Sequence, residues 1–184
     1  MADRTLSPDR FFDPDPSVRR TARAIYERTS SLPLICPHGH VDPSILARNE
    51  PFPEPTALLI TPDHYIFRML YSQGISMEEL GIPTVDGTKV EQNPRTIWQK
   101  FASNYHLFLG TPTGAWLEHE LAEVFGVNTT VNASTAMRVY DELAEKLMSP
   151  EFRPRALFDR FNIEVLATTD AATDDLQHHQ AIRA

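Results

Sequence analysis

Cysteine is nearly absent. The 184-residue chain has a single one, Cys36, which excludes an intrachain disulfide framework and any multi-cysteine zinc site. A lone thiol fits a reducing compartment. Long apolar runs are missing as well. No stretch approaches the ~18 apolar residues of a membrane span, and the opening Met1-Ala-Asp-Arg-Thr-Leu-Ser-Pro-Asp-Arg lacks the apolar region of a secretory signal. A cytoplasmic protein with no membrane partner is therefore expected. Positive charge is in the minority, 17 Lys+Arg against 25 Asp+Glu, for a net charge of −8. That argues against nucleic acid as a partner but leaves room for a small anion in a local cationic pocket. Neither a Gly-rich phosphate loop nor a serine nucleophile elbow occurs, and there is no repeat, like-charge block or low-complexity run.

What is present suffices for a folded domain. Apolar residues make up 41% of the chain, enough to bury a core. Proline is abundant, 15 residues against an ordinary ~5%, and scattered, so it reads as punctuation between elements. Helices are expected after Asp15-Pro16, after Thr61-Pro62 as far as Gly74, after Asn93-Pro94 as far as Gly110, from Thr113 to Gly126, after Asn132, at Pro154 and after Thr173. Two strands stand out. Leu32–Cys36 is a short apolar run with the look of a buried strand, and Ile163–Thr168 is the second. Two parallel-type strands separated by more than a hundred mostly helical residues suggest a βα-barrel or a doubly wound sheet. Either needs more strands than this chain supplies, since a complete (β/α)8 barrel takes ~250 residues.

Three clusters could carry chemistry. His38-Gly39-His40 follows the first strand, and side chains at i and i+2 of extended chain point the same way. Two imidazoles can then meet one divalent cation; alternatively they are two histidines in a polar loop. The second cluster is Asp63-His64-Tyr65-Ile66-Phe67-Arg68 at a helix start. His64 and Arg68, at i and i+4, share a face, and an imidazole there can donate to an oxyanion or relay a proton. The plainer alternative has Asp63 capping the helix, His64 and Tyr65 packing, and Arg68 solvated. The third is Thr168-Thr169-Asp170, which either lies beside the same site or caps the next helix. His178 and His179 read as solvated, His106 and His119 as packed among aromatics, Trp98 and Trp116 as core, and Cys36 as a small buried hydrophobe.

Together these segments resemble the uronate (glucuronate) isomerase family of the amidohydrolase superfamily. The resemblance runs through Leu32–Ile35 with His38-Gly39-His40-Val41-Asp42-Pro43, Asn49-Glu50-Pro51-Phe52 with Asp63-His64-Tyr65 and Arg68, Asn104–Phe108 with Gly110–Gly114 and Trp116-Leu117, and Phe161–Leu166 through Thr168-Thr169-Asp170 to His178-His179. It implies an α/β fold, an incomplete (β/α)8 TIM barrel of the metal-dependent hydrolase type. Its first barrel strand would lie in residues 1–48, a helical insertion in 49–160, and a second strand and helix in 161–184. It implies an intramolecular oxidoreductase, interconverting D-glucuronate and D-fructuronate, and D-galacturonate and D-tagaturonate, through a cis-enediol(ate). His38 and His40 would ligate a divalent metal, usually zinc, while His64 and Tyr65 would act at the sugar. Arg68 is available for the substrate carboxylate, or equally for a structural salt bridge. The partners implied are a small sugar acid and, at full length, further copies of the same chain. Two family features lack counterparts here, a Phe-Arg-Pro-Asp segment and a late-strand Asp, so the chain is expected to be the opening portion of a longer enzyme and weakly active or inactive alone. Rival expectations are a metal-dependent hydrolase of the same superfamily and a non-catalytic binding module.

Overall fold

A computed structural model of the chain describes residues 6–183. It is mostly helical, with one two-stranded parallel sheet. The helices are α1 (Pro16–Thr29), α2 (Pro43–Arg48), α3 (Pro55–Leu59), α4 (His64–Ser72), α5 (Pro94–Ser103), α6 (Pro112–His119), α7 (Ala136–Leu147), α8 (Pro154–Arg160) and α9 (Gln177–Arg183). The strands are β1 (Leu34–Cys36) and β2 (Ile163–Leu166). None of the helices is long and apolar enough to cross a membrane.

Proline explains where many of the helices begin. In α1, α2, α3, α5 and α6 a polar residue whose side chain accepts from the first turn stands directly before a proline: Asp15, Asp42, Glu54, Asn93 and Thr111. The side chain satisfies amides that have no intrahelical partner, and the proline needs none.

The chain divides into two compact units. The first, Phe52–Met148, contains α3 to α7 and a true core. Helix α5 packs against α3 and α7, burying Ile97, Trp98 and Phe101. The Trp98 indole N–H donates to the Ala136 carbonyl oxygen at 2.9 Å, so the largest core side chain carries no unsatisfied donor. The expected single helix from Pro94 to Gly110 is instead α5, stopped at Asn104, and a 3-10 turn, Tyr105–Phe108. The expected helix from Thr113 to Gly126 likewise passes after His119 into a π-helical turn, Glu120–Val124. Its N-terminal half is pressed against the preceding turn: a Cβ on Gly114 would lie 2.0 Å from the Phe108 carbonyl oxygen, so only glycine fits.

The second unit is built from Ser7–Pro51 and Ser149 onward. Here β1 and β2 pair in parallel, Leu34 with Ile163 and Cys36 with Leu166. The expectation of a buried first strand fails. Strand β1 is three residues long, and Leu34 and Ile35 are 49% and 55% exposed. A parallel strand is buried only when helices or strands cover both faces, and among the described residues β1 has one neighbouring strand. Helix α2, not anticipated from the sequence because it is so short, packs on α8 and α9. Arg155 fastens its end, donating to the Leu46 and Ala47 carbonyl oxygens at 2.8 and 3.1 Å, where a cation complements the helix dipole.

Candidate active site

His38, Gly39 and His40 follow β1, separated from it by Pro37. The two rings converge. Their Nε2 atoms are 3.1 Å apart, with centroids 4.8 Å apart and planes nearly perpendicular at 87°. Two nitrogens at 2.0–2.1 Å from one tetrahedral cation would stand ~3.3 Å from each other, so this pair fits two cis ligand positions. Both residues are exposed, and no third histidine, cysteine or carboxylate joins them to form a three-ligand cluster among the described residues. Asp42 then starts α2. Its carboxylate accepts from the Ser44 amide at 2.8 Å, and that bond, followed by the Ser44 hydroxyl, holds its pKa below the usual carboxylate value.

At the end of β2 the Thr168-Thr169-Asp170 segment is joined to this loop. The Ala167 amide donates to the Cys36 carbonyl oxygen at 2.8 Å, the last rung of the ladder. Two residues on, the Thr169 hydroxyl donates to the Gly39 carbonyl oxygen at 2.8 Å. Thr168 Oγ1 lies 2.5 Å from Asp170 Oδ2 and 2.9 Å from His179 Nε2. An ionised carboxylate only accepts, so the Thr168 proton goes to Asp170 and His179 must donate through Nε2. This corrects the reading of His179 as merely solvated: α9 returns it to the end of β2. The segment does not cap that helix, which begins only at Gln177.

The second cluster lies in the other unit. Asp63 caps α4, accepting from the Tyr65 and Ile66 amides at 2.8 and 3.4 Å. His64 and Tyr65 are both exposed, with ring centroids 4.2 Å apart. Arg68 is exposed, with no ion-pair partner among the described residues. Tyr65 meets Trp116 edge to face at 6.3 Å. Trp116 is 55% exposed and so is not a core residue, because α6 turns it out of the packed side that holds Leu117. His106 and His119 are also exposed rather than packed; their neighbours Tyr105 and Leu117 take the inward positions. Glu120, which sequence reasoning passed over, opens the π-helical turn. Burial raises its carboxyl pKa, and the Asp63 carboxylate adds to the effect. The turn is marked by the widened i→i+5 bond from the Phe125 N–H to the Glu120 carbonyl oxygen at 2.9 Å, and nothing in the local sequence announces it.

Comparison with known proteins agrees with this arrangement of motifs. The family model for glucuronate isomerase matches residues 16–184. The uronate isomerase of Mesorhizobium japonicum is 54% identical over 176 residues, which is 96% of this chain and 38% of that protein. That of Nostoc punctiforme is 54% identical over 178 residues, again covering 38% of the relative. The crystal structure of glucuronate isomerase from Caulobacter crescentus superposes with a TM-score of 0.92 at 49% identity, covering 97% of this chain and 37% of that one. The uronate isomerase of Thermotoga maritima superposes at 0.83 with 26% identity. The chain thus spans little more than a third of the length of the relatives it matches, and it belongs to the glucuronate isomerase family.

Proposed function

We propose that this chain carries the opening portion of a uronate isomerase active site, and that the whole protein interconverts D-glucuronate with D-fructuronate and D-galacturonate with D-tagaturonate. The observation that carries the reading is the 3.1 Å convergence of His38 and His40 Nε2, at the carboxyl end of a parallel strand, in a chain of this family. Ligands gather at that end of strands in barrels, so β1 and β2 are read as the first two strands of a (β/α)8 barrel whose remaining strands belong to the length seen only in the relatives.

The reaction moves a proton between C2 and C1 through a cis-enediol(ate). Such a carbon acid needs a base together with stabilisation of the neighbouring oxyanion. His38 and His40 would hold a divalent cation, zinc by the family resemblance, which would polarise the sugar oxygens or organise the site around them. His64, exposed at the start of α4, is suited to donate to the developing oxyanion or relay a proton. The Tyr65 hydroxyl offers a second proton carrier beside it. Arg68, one turn on, offers a planar fork for the substrate carboxylate. The family match over residues 16–184 favours isomerisation over the hydrolysis common in the wider superfamily.

The test is a chimera in which residues 1–184 replace the matching part of the Mesorhizobium japonicum relative. The chimera should convert D-glucuronate to the ketose, and His64→Ala in it should lower kcat by about 100-fold or more, the usual weight of a positioned proton-transfer group. A well-folded chimera that hydrolyses lactones or esters and forms no ketose would overturn the reading.

A further inference from the structure

We propose that Thr169 is a positioning residue for the His38-Gly39-His40 loop, its hydroxyl fixing the peptide between the two imidazoles so that their Nε2 atoms face a common point. The inference rests on the reading of His38 and His40 as cation ligands and adds a residue that acts on them through the backbone.

The chain leaves β1 at Pro37, and among the described residues no backbone hydrogen bond joins the loop beyond it to β2. Ala167 N–H to Cys36 oxygen is the last rung. Beyond it Gly39 is held in two ways. Its carbonyl oxygen accepts from Thr169 Oγ1 at 2.8 Å, and its α-carbon lies so near the end of β2 that an added Cβ would fall 2.9 Å from the Ala167 carbonyl oxygen. Glycine permits the approach, and the threonine hydroxyl bonds across it. Since Gly39 is the only residue between the two histidines, the orientation of its peptide bears on the directions in which both side chains leave the backbone.

Thr169 stands between two residues that are themselves hydrogen-bonded. Its neighbours Thr168 and Asp170 bond to each other at 2.5 Å, and His179 Nε2 donates to the Thr168 hydroxyl at 2.9 Å. Helix α9, packed on α2, therefore anchors the segment that anchors the loop. Groups that orient ligands without touching the metal typically account for 10–100-fold in metal affinity, and the same reasoning applies to a peptide that carries a ligand on each side.

The experiment is zinc binding by the 184-residue chain, measured by competition with a chromophoric chelator, with cobalt(II) absorption reporting ligand geometry. Thr169→Val keeps the branched shape and removes the hydroxyl; Thr169→Ser keeps the hydroxyl. Binding about tenfold weaker in Thr169→Val, an altered cobalt spectrum, an unchanged melting temperature and recovery in Thr169→Ser are expected. Thr169→Val binding like the parent while His38→Ala loses binding would overturn the positioning role alone. A parent chain that binds no zinc, or a His38→Ala variant that binds as well as the parent, would overturn the cation site and the positioning role together.

Discussion

The two units of this chain put their apolar residues to opposite uses. In Phe52–Met148, Trp98, Phe101, Phe108 and Leu143 are fully buried, and nearly every buried apolar side chain of the described residues belongs to this unit. In the strand-bearing unit Phe152 stands almost alone as a buried large side chain, while Leu34, Ile35 and Val165 of the sheet remain about half exposed. The first unit has a packed helical core, with His64 and Tyr65 exposed at its surface. The second has little core of its own and is held by polar fastenings: Arg155 on α2, Thr169 on Gly39, His179 on Thr168. Where burial cannot fix a side chain, hydrogen bonds must, and in this unit one of them, from Thr169, ties the loop that bears His38 and His40 to the end of β2.

The contrast can be broken in graded ways. The largest effect belongs to the helical core: Trp98→Ala should cost ~3–5 kcal/mol in urea unfolding, the range for a buried aromatic truncated to alanine, and a cost below 1 kcal/mol would show that α5 is not the centre of a packed core. Next comes Tyr140, buried on α7. Its hydroxyl donates to Glu54 Oε2 at 3.0 Å, and burial first, then this bond, raises its pKa from 10.0 to about 12. A raised phenol pKa contributes stability that is complete below the unfolded value of 10.0 and is lost as pH climbs to about 12. Tyr140→Phe should therefore lower neutral-pH stability by about 1.5 kcal/mol and flatten the alkaline loss over that window; an unchanged alkaline profile would contradict the assignment.

A smaller effect of opposite sign is expected at Glu120. Burial and the nearby Asp63 raise its pKa, so the folded unit holds a proton more tightly than the unfolded chain and loses stability as pH rises past the ordinary carboxylate range. Glu120→Gln should be more stable than the parent at pH 7, with the difference vanishing below about pH 4. A variant less stable at pH 7 would mean that the charged carboxylate has a stabilising partner. The smallest effect belongs to the exposed sheet: Ile35→Thr should change stability by no more than ~0.5 kcal/mol, as for a surface substitution, and a loss of several kcal/mol would show that β1 is as much a core element as α5.

How much of this could be read from the sequence follows the same division. Cap-proline pairs such as Asp15-Pro16 and Asn93-Pro94 are local signals, and the structure starts helices there. The i, i+2 spacing of His38 and His40 is local too, and their rings meet. The burial of Trp98, Phe101 and Leu143 follows from helical periodicity. Exposure of Leu34 and Ile35 does not, because an apolar run reports what a strand could bury and not what covers it. Size alone points Trp116 to the core, but it stands about 100° round the helix from Leu117 and off the buried stripe; Glu120 escaped because nothing in its local sequence marks a carboxyl at the start of a π-helical turn. The His179–Thr168 contact escaped because a loop of irregular structure separates the two, and no periodicity spans it.

The most direct test of the account is zinc titration of the chain with 15N-labelled histidine, read as imidazole nitrogen shifts. The account predicts that Nε2 of His38 and of His40 move together and saturate at one equivalent of zinc, while His106 and His119 stay in place. Saturation with only one of the two rings shifted, or with both unshifted and the cation at another pair, would contradict it.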